Sequence, residues 1–294
     1  MEELHKPVLL SEVLEVLSPK AGETYLDLTA GYGGHASEVL DLTRNYKNSV
    51  LIDRDAFAVE YLRAKYQKIG ETPEIVNGDF YSSVLKLVEC GKTFDLILAD
   101  FGVSSPQLDQ AERGFSFSKD GPLDMRMDRS NSLDADRVVN HYPEGKLAEI
   151  FVRYGEERPG NAKRLAREIV HNRPFGTTKE LADFVKRRSK YSKMHPATRI
   201  FQAIRIEVND ELSLIEKTLP LIPKVLNPGG RAAIITFHSL EDRLVKQYFK
   251  EASSFGEESE LELINRAPIV AGDVELLSNS RSRSAKLRAV RKRV

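Results

Sequence analysis

The chain lacks tryptophan, has one cysteine and four methionines, and carries no long apolar run. A single thiol, Cys90, excludes a disulfide framework, and no spacing of cysteine and histidine resembles a zinc site, so we expect a reducing compartment and no bound metal. The longest apolar runs, such as "AAIITF", have the length of strands rather than of membrane spans. The start, "MEELHKPVLL", does not have the pattern of a signal peptide. We therefore expect a cytoplasmic protein with no membrane partner.

An excess of charge of one sign is also missing. The 44 basic and 44 acidic residues cancel, so the molecule as a whole does not favour a polyanionic partner. The last fourteen residues, "RSRSAKLRAVRKRV", are an exception, because they hold seven Lys or Arg and no acid. Such a segment either contacts phosphates or is a solvated terminal strand, and charge alone does not decide between the two.

Strand and helix patterns alternate through the first hundred residues. Predicted strands cover about 25–30, 49–53, 74–77 and 94–100. Predicted helices cover about 34–45, 56–69 and 82–90. Alternation of this kind builds βαβ units, so we predict an α/β fold with a doubly wound, mostly parallel sheet.

The next strand pattern, "GRAAIITFHS", is reached only at Arg231. Several helix patterns and a long loop precede it, so we predict an inserted helical subdomain at 106–205. The main domain would then consist of 1–105 and 206–294. After the insertion the sequence predicts a helix through Leu226, a strand at 231–237, a helix, and a final antiparallel strand in "SAKLRAVRKR".

The stretch "YLDLTAGYGGHASEVL" runs from a predicted strand through a glycine-rich turn into a predicted helix. Gly31, Gly33 and Ala36 fit the dinucleotide fingerprint G-x-G-x-x-G/A, and Asp53 follows at the spacing that the fingerprint requires. A nicotinamide oxidoreductase is therefore one hypothesis. Asp27 argues against it, because a fixed carboxylate beside the turn disfavours a pyrophosphate and favours a cationic ligand such as S-adenosylmethionine.

Acidic residues stand at the predicted ends of four successive strands: Asp27, Asp53, Asp79 and Asp100. Asp53 is placed to accept the ribose hydroxyls, or it is the N-cap of the next helix. Asp79 and Phe80 are placed to meet the adenine amino group and ring. Asp100 faces the crevice where open α/β sheets bind ligands. Each acid alone is a weak signal, but the set favours S-adenosylmethionine over a nicotinamide cofactor.

Longer blocks of sequence are more specific than the glycine turn. They are "HKPVLLSEVL" at 5–14, "DLTAGYGGHASEVL" at 27–40, "DRD" at 53–55, "ADFGVSSPQLDQAERGFSFSKDGPLDMRMD" at 99–128, "RYGEERPGNAKRLAREI" at 153–169, "HPATRIFQAIRIEVNDEL" at 195–212, "PGGRAAIITFHSLEDRLVK" at 228–246 and "NSRSRSAKLRAVRK" at 279–292. On these blocks the chain resembles, over nearly its full length, the bacterial methyltransferases that modify N4 of a cytosine in 16S ribosomal RNA of the small subunit, near the decoding centre. The family often has glycine at Tyr32 and leucine at Phe101, and neither difference removes a polar ligand group.

The resemblance implies a class I, Rossmann-like methyltransferase with S-adenosylmethionine as the cofactor. It implies cofactor contacts at Gly33, Gly34, His35, Ala36, Asp53, Phe80, Asp100 and Gln107. The strand-end pattern and the turn add Asp27, Gly31 and Asp79. For His35 the expected contact is its backbone N–H at the start of a helix, and we expect the imidazole to be structural rather than catalytic.

Methyl transfer from a sulfonium is an in-line displacement, so the enzyme must chiefly hold the acceptor amine close to the methyl group. The N4 amine is a weak nucleophile, and a group that accepts one of its protons would help it. Asp100 is the predicted acceptor, or it only binds the cofactor. His238, in "FHSLEDR", is the second catalytic candidate. The alternative for His238 is a helix-capping arrangement with Ser239 and the acids that follow it.

RNA recognition is expected from the insertion and from the basic tail. The predicted RNA-binding residues are Arg199, Gln202, Arg205, Arg281, Arg283, Lys286 and Arg288. Phe201 either stacks on a base or lies in the core. The expected partner is small-subunit ribosomal RNA within an assembled or nearly assembled subunit, with the target cytidine flipped out or unpaired. The sequence does not decide between a monomer and a homodimer.

Two further classes of protein stay open. One is a non-catalytic RNA-binding or ribosome assembly factor that keeps the fold for docking alone. The other is a DNA amino-methyltransferase. The complete set of strand-end acids disfavours the first, and the lack of an obvious base-recognition module and of Pro-Pro-aromatic after the fourth strand disfavours the second.

Overall fold

A computed structural model describes residues 7–188, 195–254 and 259–294. The described chain forms two compact units. The first unit is built from the segments Met1–Gly102 and Leu212–Val294, and the second from Val103–Glu211. The second unit therefore interrupts the first, and its limits lie a few residues outside the predicted insertion at 106–205.

One sheet of seven strands lies in the described part of the first unit. The strands are β1 (Tyr25–Asp27), β2 (Val50–Asp53), β3 (Glu74–Asn77), β4 (Phe94–Asp100), β5 (Leu226–Thr236), β6 (Leu261–Leu263) and β7 (Lys286–Lys292). Their spatial order is β3-β2-β1-β4-β5-β7-β6. Strands β1 to β5 pair in parallel, and β7 pairs antiparallel with both β5 and β6. The predicted doubly wound, mostly parallel sheet with an antiparallel final strand is confirmed.

The helices of the described residues connect these strands or build the second unit. In chain order they are α1 (Leu10–Leu17), α2 (Gly34–Thr43), α3 (Ala56–Ile69), α4 (Phe80–Glu89), α5 (Ser105–Asp109), α6 (Ala135–His141), α7 (Glu144–Arg153), α8 (Pro159–His171), α9 (Thr178–Arg188), α10 (Ala197–Asn209), α11 (Glu211–Thr218), α12 (Ser239–Ala252) and α13 (Asp273–Ser278). No helix among the residues described is long and apolar enough to cross a membrane.

The sheet is buried on both faces, as its parallel strands require. Along β4, Leu96 and Leu98 pack into the apolar cluster on one face, while Ile97 and Ala99 pack into the cluster on the other. Each fully buried aliphatic side chain of this kind contributes about 1.5–3 kcal/mol to the free energy of unfolding. The carboxyl ends of β1, β2, β4 and β5 are thereby held firmly along one edge.

The approach to β5 differs from the sequence prediction of a helix through Leu226. Helix α11 ends at Thr218, a 3₁₀ helix covers Leu219–Val225, and Leu226 already begins β5. Pro220 and Pro223 account for the difference, because proline lacks the N–H that an α-helix needs and clashes with the preceding turn. The short strand β6 was not predicted.

The second unit has an apolar core of its own, to which helices α6 to α10 contribute. Phe201 is 4% exposed and belongs to this core, so the core interpretation of that residue is correct. Ile204 and Val208 lie one turn apart in the same core. Helix α10 therefore continues through position 205, where the sequence analysis placed the end of the insertion.

Candidate active site

The turn between β1 and α2 needs glycine at two positions. Gly31 and Gly33 have φ of +52° and +74°, a region that residues with a side chain rarely adopt. A Cβ at Gly33 would lie 2.8 Å from Cδ2 of Leu62, so the turn also approaches α3 closely. Gly33 is the N-cap of α2. The first N–H groups of such a helix have no acceptor within it, so this turn can bind a carboxylate.

Asp53, the last residue of β2, ties the glycine turn to the sheet. Its Oδ2 accepts the N–H of Gly31 at 2.7 Å, and its Oδ1 accepts the N–H of Asp55 at 2.8 Å. The N-cap of α3 is Asp55, which accepts the N–H of Phe57 at 3.1 Å, so the interpretation of Asp53 as a helix cap is wrong. Burial raises the pKa of Asp53 to about 6, against the effect of its two backbone hydrogen bonds. Each carboxylate oxygen keeps a second lone pair, which can accept a hydroxyl.

Asp27, the last residue of β1, is buried behind the turn. It accepts the O–H of Tyr25 at 2.8 Å and the N–H of Thr29 at 3.1 Å. Burial raises the pKa of Asp27 to about 7, although both hydrogen bonds favour the charged form. The sequence analysis missed Tyr25 as a partner, yet a signal was present, because residues two apart in a strand face the same side.

Asp100, the last residue of β4, has the least satisfied carboxylate of the three. Its N–H donates to Oγ1 of Thr29 at 2.6 Å, which fixes the backbone at the end of the strand. Its Oδ1 is buried and has no hydrogen-bond partner among the residues that the structure describes. Burial and the nearby carboxylates of Asp27 and Glu241 raise the pKa of Asp100 well above its usual value.

His35 lies beside Asp100 at the start of α2. Its Nδ1 is 3.8 Å from Oδ2 of Asp100, and its Nε2 is 2.9 Å from the carbonyl oxygen of Val8. Since a carbonyl can only accept, Nε2 carries a hydrogen. The ring is buried and held in place from both sides. This arrangement agrees with the structural role expected of the His35 imidazole.

Together these acids form a partly buried cluster in which, among the described residues, Arg54 lowers the pKa of Asp53 but no cation is found to lower that of Asp27 or Asp100. Burial disfavours the charged form of each carboxyl, and the pKa of Asp27 is raised further by Asp53, as that of Asp100 is by Asp27. A ligand with positive charge would reverse both effects and give Oδ1 of Asp100 a partner. S-adenosylmethionine, which carries a sulfonium, an ammonium, a carboxylate and ribose hydroxyls, fits the acids and the glycine turn.

Asp79 and Phe80 follow β3, as predicted, but both already have structural contacts. Asp79 is the N-cap of α4 and accepts the N–H of Ser82 at 2.8 Å. The ring of Phe80 packs against that of Phe101, with centroids 5.3 Å apart, and belongs to the core. Contact with an adenine ring remains a prediction for these two residues.

His238, after the end of β5, is the N-cap of α12. Its Nδ1 accepts the N–H of Glu241 at 3.4 Å, and Oε2 of Glu241 accepts the N–H groups of Phe237 and His238 at 2.7 and 3.2 Å. Because Nδ1 accepts, the hydrogen of a neutral ring lies on Nε2, which is 3.0 Å from Oε1 of Glu241 but makes no hydrogen bond among the described residues. No lone pair of the ring is left for a substrate proton in this arrangement. The geometry therefore favours the capping interpretation of His238 over the proton-acceptor one.

The predicted site residues of the second unit differ in how far their side chains are engaged within it. The side chain of Gln107 accepts the N–H of Ser104 at 3.0 Å in a capping box at the start of α5. Gln202 donates to the carbonyl of Tyr154 at 2.9 Å. Arg205 forms a two-pronged ion pair with Glu211, at 2.8 and 2.9 Å. Arg199 is exposed.

The basic residues near the carboxyl end also separate into different environments. Arg288 is buried and pairs with Asp242 of α12, with 2.7 Å between Nε and Oδ1, which corrects the expectation that its side chain is presented to RNA. Lys286 shares the same carboxylate at 3.2 Å but is partly exposed. Arg283 is exposed and Arg281 is half-buried. The charge count of this segment therefore overstates its capacity to bind phosphates.

The sheet order and the row of strand-end acids beside a glycine turn define a class I methyltransferase that uses S-adenosylmethionine. The chain belongs to the MraW methylase family, whose sequence model matches residues 2–293. The resemblance seen in the sequence blocks is thus confirmed, and a nicotinamide oxidoreductase is ruled out.

Curated relatives match the chain over almost its full length. The protein named ribosomal RNA small subunit methyltransferase H of Trichormus variabilis is 44% identical over 293 residues, which cover 98% of this chain and 92% of the relative. The protein of the same name from Acidobacterium capsulatum is 43% identical over 300 residues, with 99% of each chain covered. Among solved structures, an rRNA methylase from Streptococcus thermophilus matches 97% of this chain and 94% of its own, at 10% identity and a TM-score of 0.41, a similarity too low to assign an activity.

Proposed function

We propose that the protein transfers the methyl group of S-adenosylmethionine to N4 of a cytidine in 16S ribosomal RNA, near the decoding centre. The observation that carries the chemistry is the buried Oδ1 of Asp100, which has no partner among the described residues. The name of the relatives, ribosomal RNA small subunit methyltransferase H, supports ribosomal RNA of the small subunit as the substrate. The choice of N4 rests on the sequence blocks, above all "GVSSPQLD" and "FHSLEDR".

The cofactor roles follow the geometry of the first unit. Asp27 and Asp100 face the positive charges, Asp53 accepts ribose hydroxyls, and the first turn of α2, from Gly34 to Ala36, takes the carboxylate. Asp79 and Phe80 border the adenine. Gln107 is the proposed cofactor contact from the second unit.

The proposed chemistry uses Asp100 as the group that receives the acceptor amine. When bound, S-adenosylmethionine supplies an electrophilic methyl group and a positive charge. Burial and the neighbouring acids raise the pKa of Asp100 in the free protein, and a positive charge beside it would lower that pKa and favour the carboxylate. Its Oδ1 then accepts a hydrogen bond from the N4 amine and draws electron density onto the nitrogen. Formation of the N–C bond would break the bond between the methyl group and the sulfur, which would leave as a neutral thioether, and the amine would lose one proton, which Asp100 would accept and pass to water.

His238 supports this site rather than taking part in the proton transfer. Its ring closes the capping box that fixes Phe237 and the start of α12. Loss of the ring would loosen the backbone after β5. The expected effect is on the position of the acceptor, with no change in the protonation step itself.

RNA recognition is proposed for both units. Arg199 and Gln202 in the second unit, with Arg281, Arg283 and Lys286 in the first, are the candidates for phosphate and base contacts. Arg205 and Arg288 act through their ion pairs, as supports for neighbouring residues. The proposed setting is the bacterial cytoplasm, with an assembled or nearly assembled small subunit as the partner.

The test uses S-adenosylmethionine with a labelled methyl group and three acceptors: small subunits, protein-free ribosomal RNA and DNA. After digestion to nucleosides, the labelled species is identified by mass. We expect label in N4-methylated cytidine with subunits and none with DNA. Asp100→Asn should abolish transfer, while Asp41→Asn, an exposed carboxylate on α2, should leave it unchanged.

Each result has a definite meaning. Label in another nucleoside would contradict the N4 assignment. Retained transfer in Asp100→Asn would contradict the role of Asp100. Tight binding of S-adenosylmethionine and of subunits without any labelled nucleoside would favour the non-catalytic RNA-binding factor.

A further inference from the structure

A second concave site lies in the first unit, beyond the end of β5. The cavity has a volume of about 280 Å³. Its lining comprises Phe237, His238, Ser239, Val270, Arg283, Ser284, Ala285 and Lys286. None of the cofactor roles described above uses this cavity, which we call the β5 pocket.

The β5 pocket combines cations with an apolar wall. Arg283 is exposed and has no hydrogen-bond or ion-pair partner among the residues described. Lys286 is 41% exposed and only partly neutralised, because Asp242 also pairs with Arg288. The side chains of Phe237 and Val270 form the apolar part. A ligand with an anionic group at one end and an apolar face at the other matches this lining.

The position of the pocket links it to the transfer site. In the sheet, Asp100 pairs with Ile235, two residues before Phe237. The ring of Phe237 also lies against the chain just after Asp100, because a Cβ at Gly102 would be 3.2 Å from its Cδ2. Phe237 is therefore shared between the wall of the pocket and the neighbourhood of Asp100.

We propose that the β5 pocket holds one nucleotide of the RNA strand next to the acceptor cytidine. Arg283 and Lys286 bind its phosphate, and Phe237 and Val270 contact its base or ribose. At about 280 Å³, the pocket is slightly smaller than typical ligand sites, which span about 300–1,000 Å³, so a single nucleotide is the largest unit of RNA that we assign to it. The inference rests on the proposed function, since it assumes that the substrate is RNA.

The role of the pocket would be to hold the strand so that the neighbouring base reaches Asp100. Binding energy from a nucleotide that does not react would then be used to position the one that does. Such a contact affects the affinity for RNA and leaves the affinity for S-adenosylmethionine unchanged.

The test compares Arg283→Met with Arg291→Met. Arg291 is an exposed cation on β7 outside the pocket, so it is a matched control for loss of charge. With small subunits as the acceptor, we expect Arg283→Met to raise KM about tenfold, as for one lost charge-assisted hydrogen bond, with kcat and the Kd for S-adenosylmethionine unchanged. The slope of log KM against log salt should fall by about 1. Arg291→Met should match the wild type.

A second variant, Ser284→Glu, places a negative charge in the pocket and should raise KM by at least as much. Equal KM values for the two arginine variants, or an unchanged KM in Ser284→Glu, would overturn the inference. When the wild type methylates subunits in the same assay, either outcome would contradict the role of the pocket and not the proposed function. A wild type that binds S-adenosylmethionine but methylates no RNA would instead refute the proposed function.

Discussion

Nδ1 of His35, at the start of α2, lies 3.8 Å from Oδ2 of Asp100, at the end of β4. The distance is too long for a hydrogen bond, and an ion pair between these two atoms would require a protonated imidazole. The other ring nitrogen donates to the carbonyl of Val8, so the imidazole joins the segment before α1 to the site. Through this ring, the N-terminal segment helps to define the surroundings of Asp100.

Replacement of His35 by alanine should destabilise the protein through Val8. The buried carbonyl of Val8 would lose its donor, at a cost of about 1–3 kcal/mol in the free energy of unfolding. Urea denaturation measures this difference. The exposed His141 supplies the control, because His141→Ala should change stability by less than about 0.5 kcal/mol. Equal stability of the two variants would show that the Val8 contact contributes nothing.

The affinity for S-adenosylmethionine should rise with pH between about 5.5 and 7. In the free protein the pKa values of Asp53 and Asp27 are raised to about 6 and about 7, so both carboxyls are partly protonated in this range. A cationic ligand lowers these pKa values, so binding releases protons and is favoured as pH rises.

Calorimetry at pH 6 and 7 in buffers with different ionisation enthalpies measures the protons released. Asp27→Asn should release fewer protons at pH 7, and the exposed Asp41→Asn should behave as the wild type. A binding heat that does not depend on the buffer would contradict the role of these carboxyls.

Alanine substitution at Gly33 and at Gly70 should separate the cost of a positive φ from the cost of a close contact. Gly33 and Gly70 have nearly equal φ, +74° and +76°, but only at Gly33 does a Cβ clash with a neighbour, Cδ2 of Leu62. We expect Gly70→Ala to cost about 1 kcal/mol and Gly33→Ala clearly more, with weaker binding of S-adenosylmethionine as well. Thermal unfolding and a titration with S-adenosylmethionine measure both effects. Equal losses of stability in the two variants would mean that the close approach of the turn to α3 does not add to the cost of the substitution.

Loss of the Arg288 side chain should lower the stability of the protein more than it lowers the affinity for RNA. Arg288→Met leaves the carboxylate of Asp242 with Lys286 alone, at a cost of about 2 kcal/mol or more in the free energy of unfolding. Arg291→Met, on the same strand but exposed, is the control and should cost less than about 0.5 kcal/mol. A stable Arg288→Met with a raised KM for subunits would restore its role as an RNA ligand.

The sequence predicted the position of three acids at strand ends, because that position depends on local pattern. Asp27, Asp53 and Asp100 each end a short apolar run, and the carboxyl ends of parallel strands meet at one edge of a sheet. The glycine turn could also be predicted from local sequence. Gly31 and Gly33 both have the positive φ that favours glycine.

Partners distant in sequence could not be predicted in the same way. Arg288 and Asp242 are 46 residues apart, and nothing in their local sequences shows that β7 packs beside α12. Alternation along β7 gave a partial signal, since Leu287 and Ala289 pack on one face of the sheet and Val290 on the other. The distinction between Asp53 and Asp55 as the helix cap depends on a register of two residues, which pattern alone does not resolve.

The position of β7 in the sheet affects how the protein can fold during translation on the ribosome. Strand β7 lies between β5 and β6, so neither has its hydrogen-bonded neighbour on that side until residues 286–292 have been translated. Until then, the growing chain exposes an open strand edge that invites pairing with other chains. The second unit, Val103–Glu211, has its own core and leaves the exit tunnel long before this step. Folding of the sheet therefore requires the insertion of an inner strand after both of its neighbours have been made, and its contacts with β5 span a long stretch of chain and are slow to form.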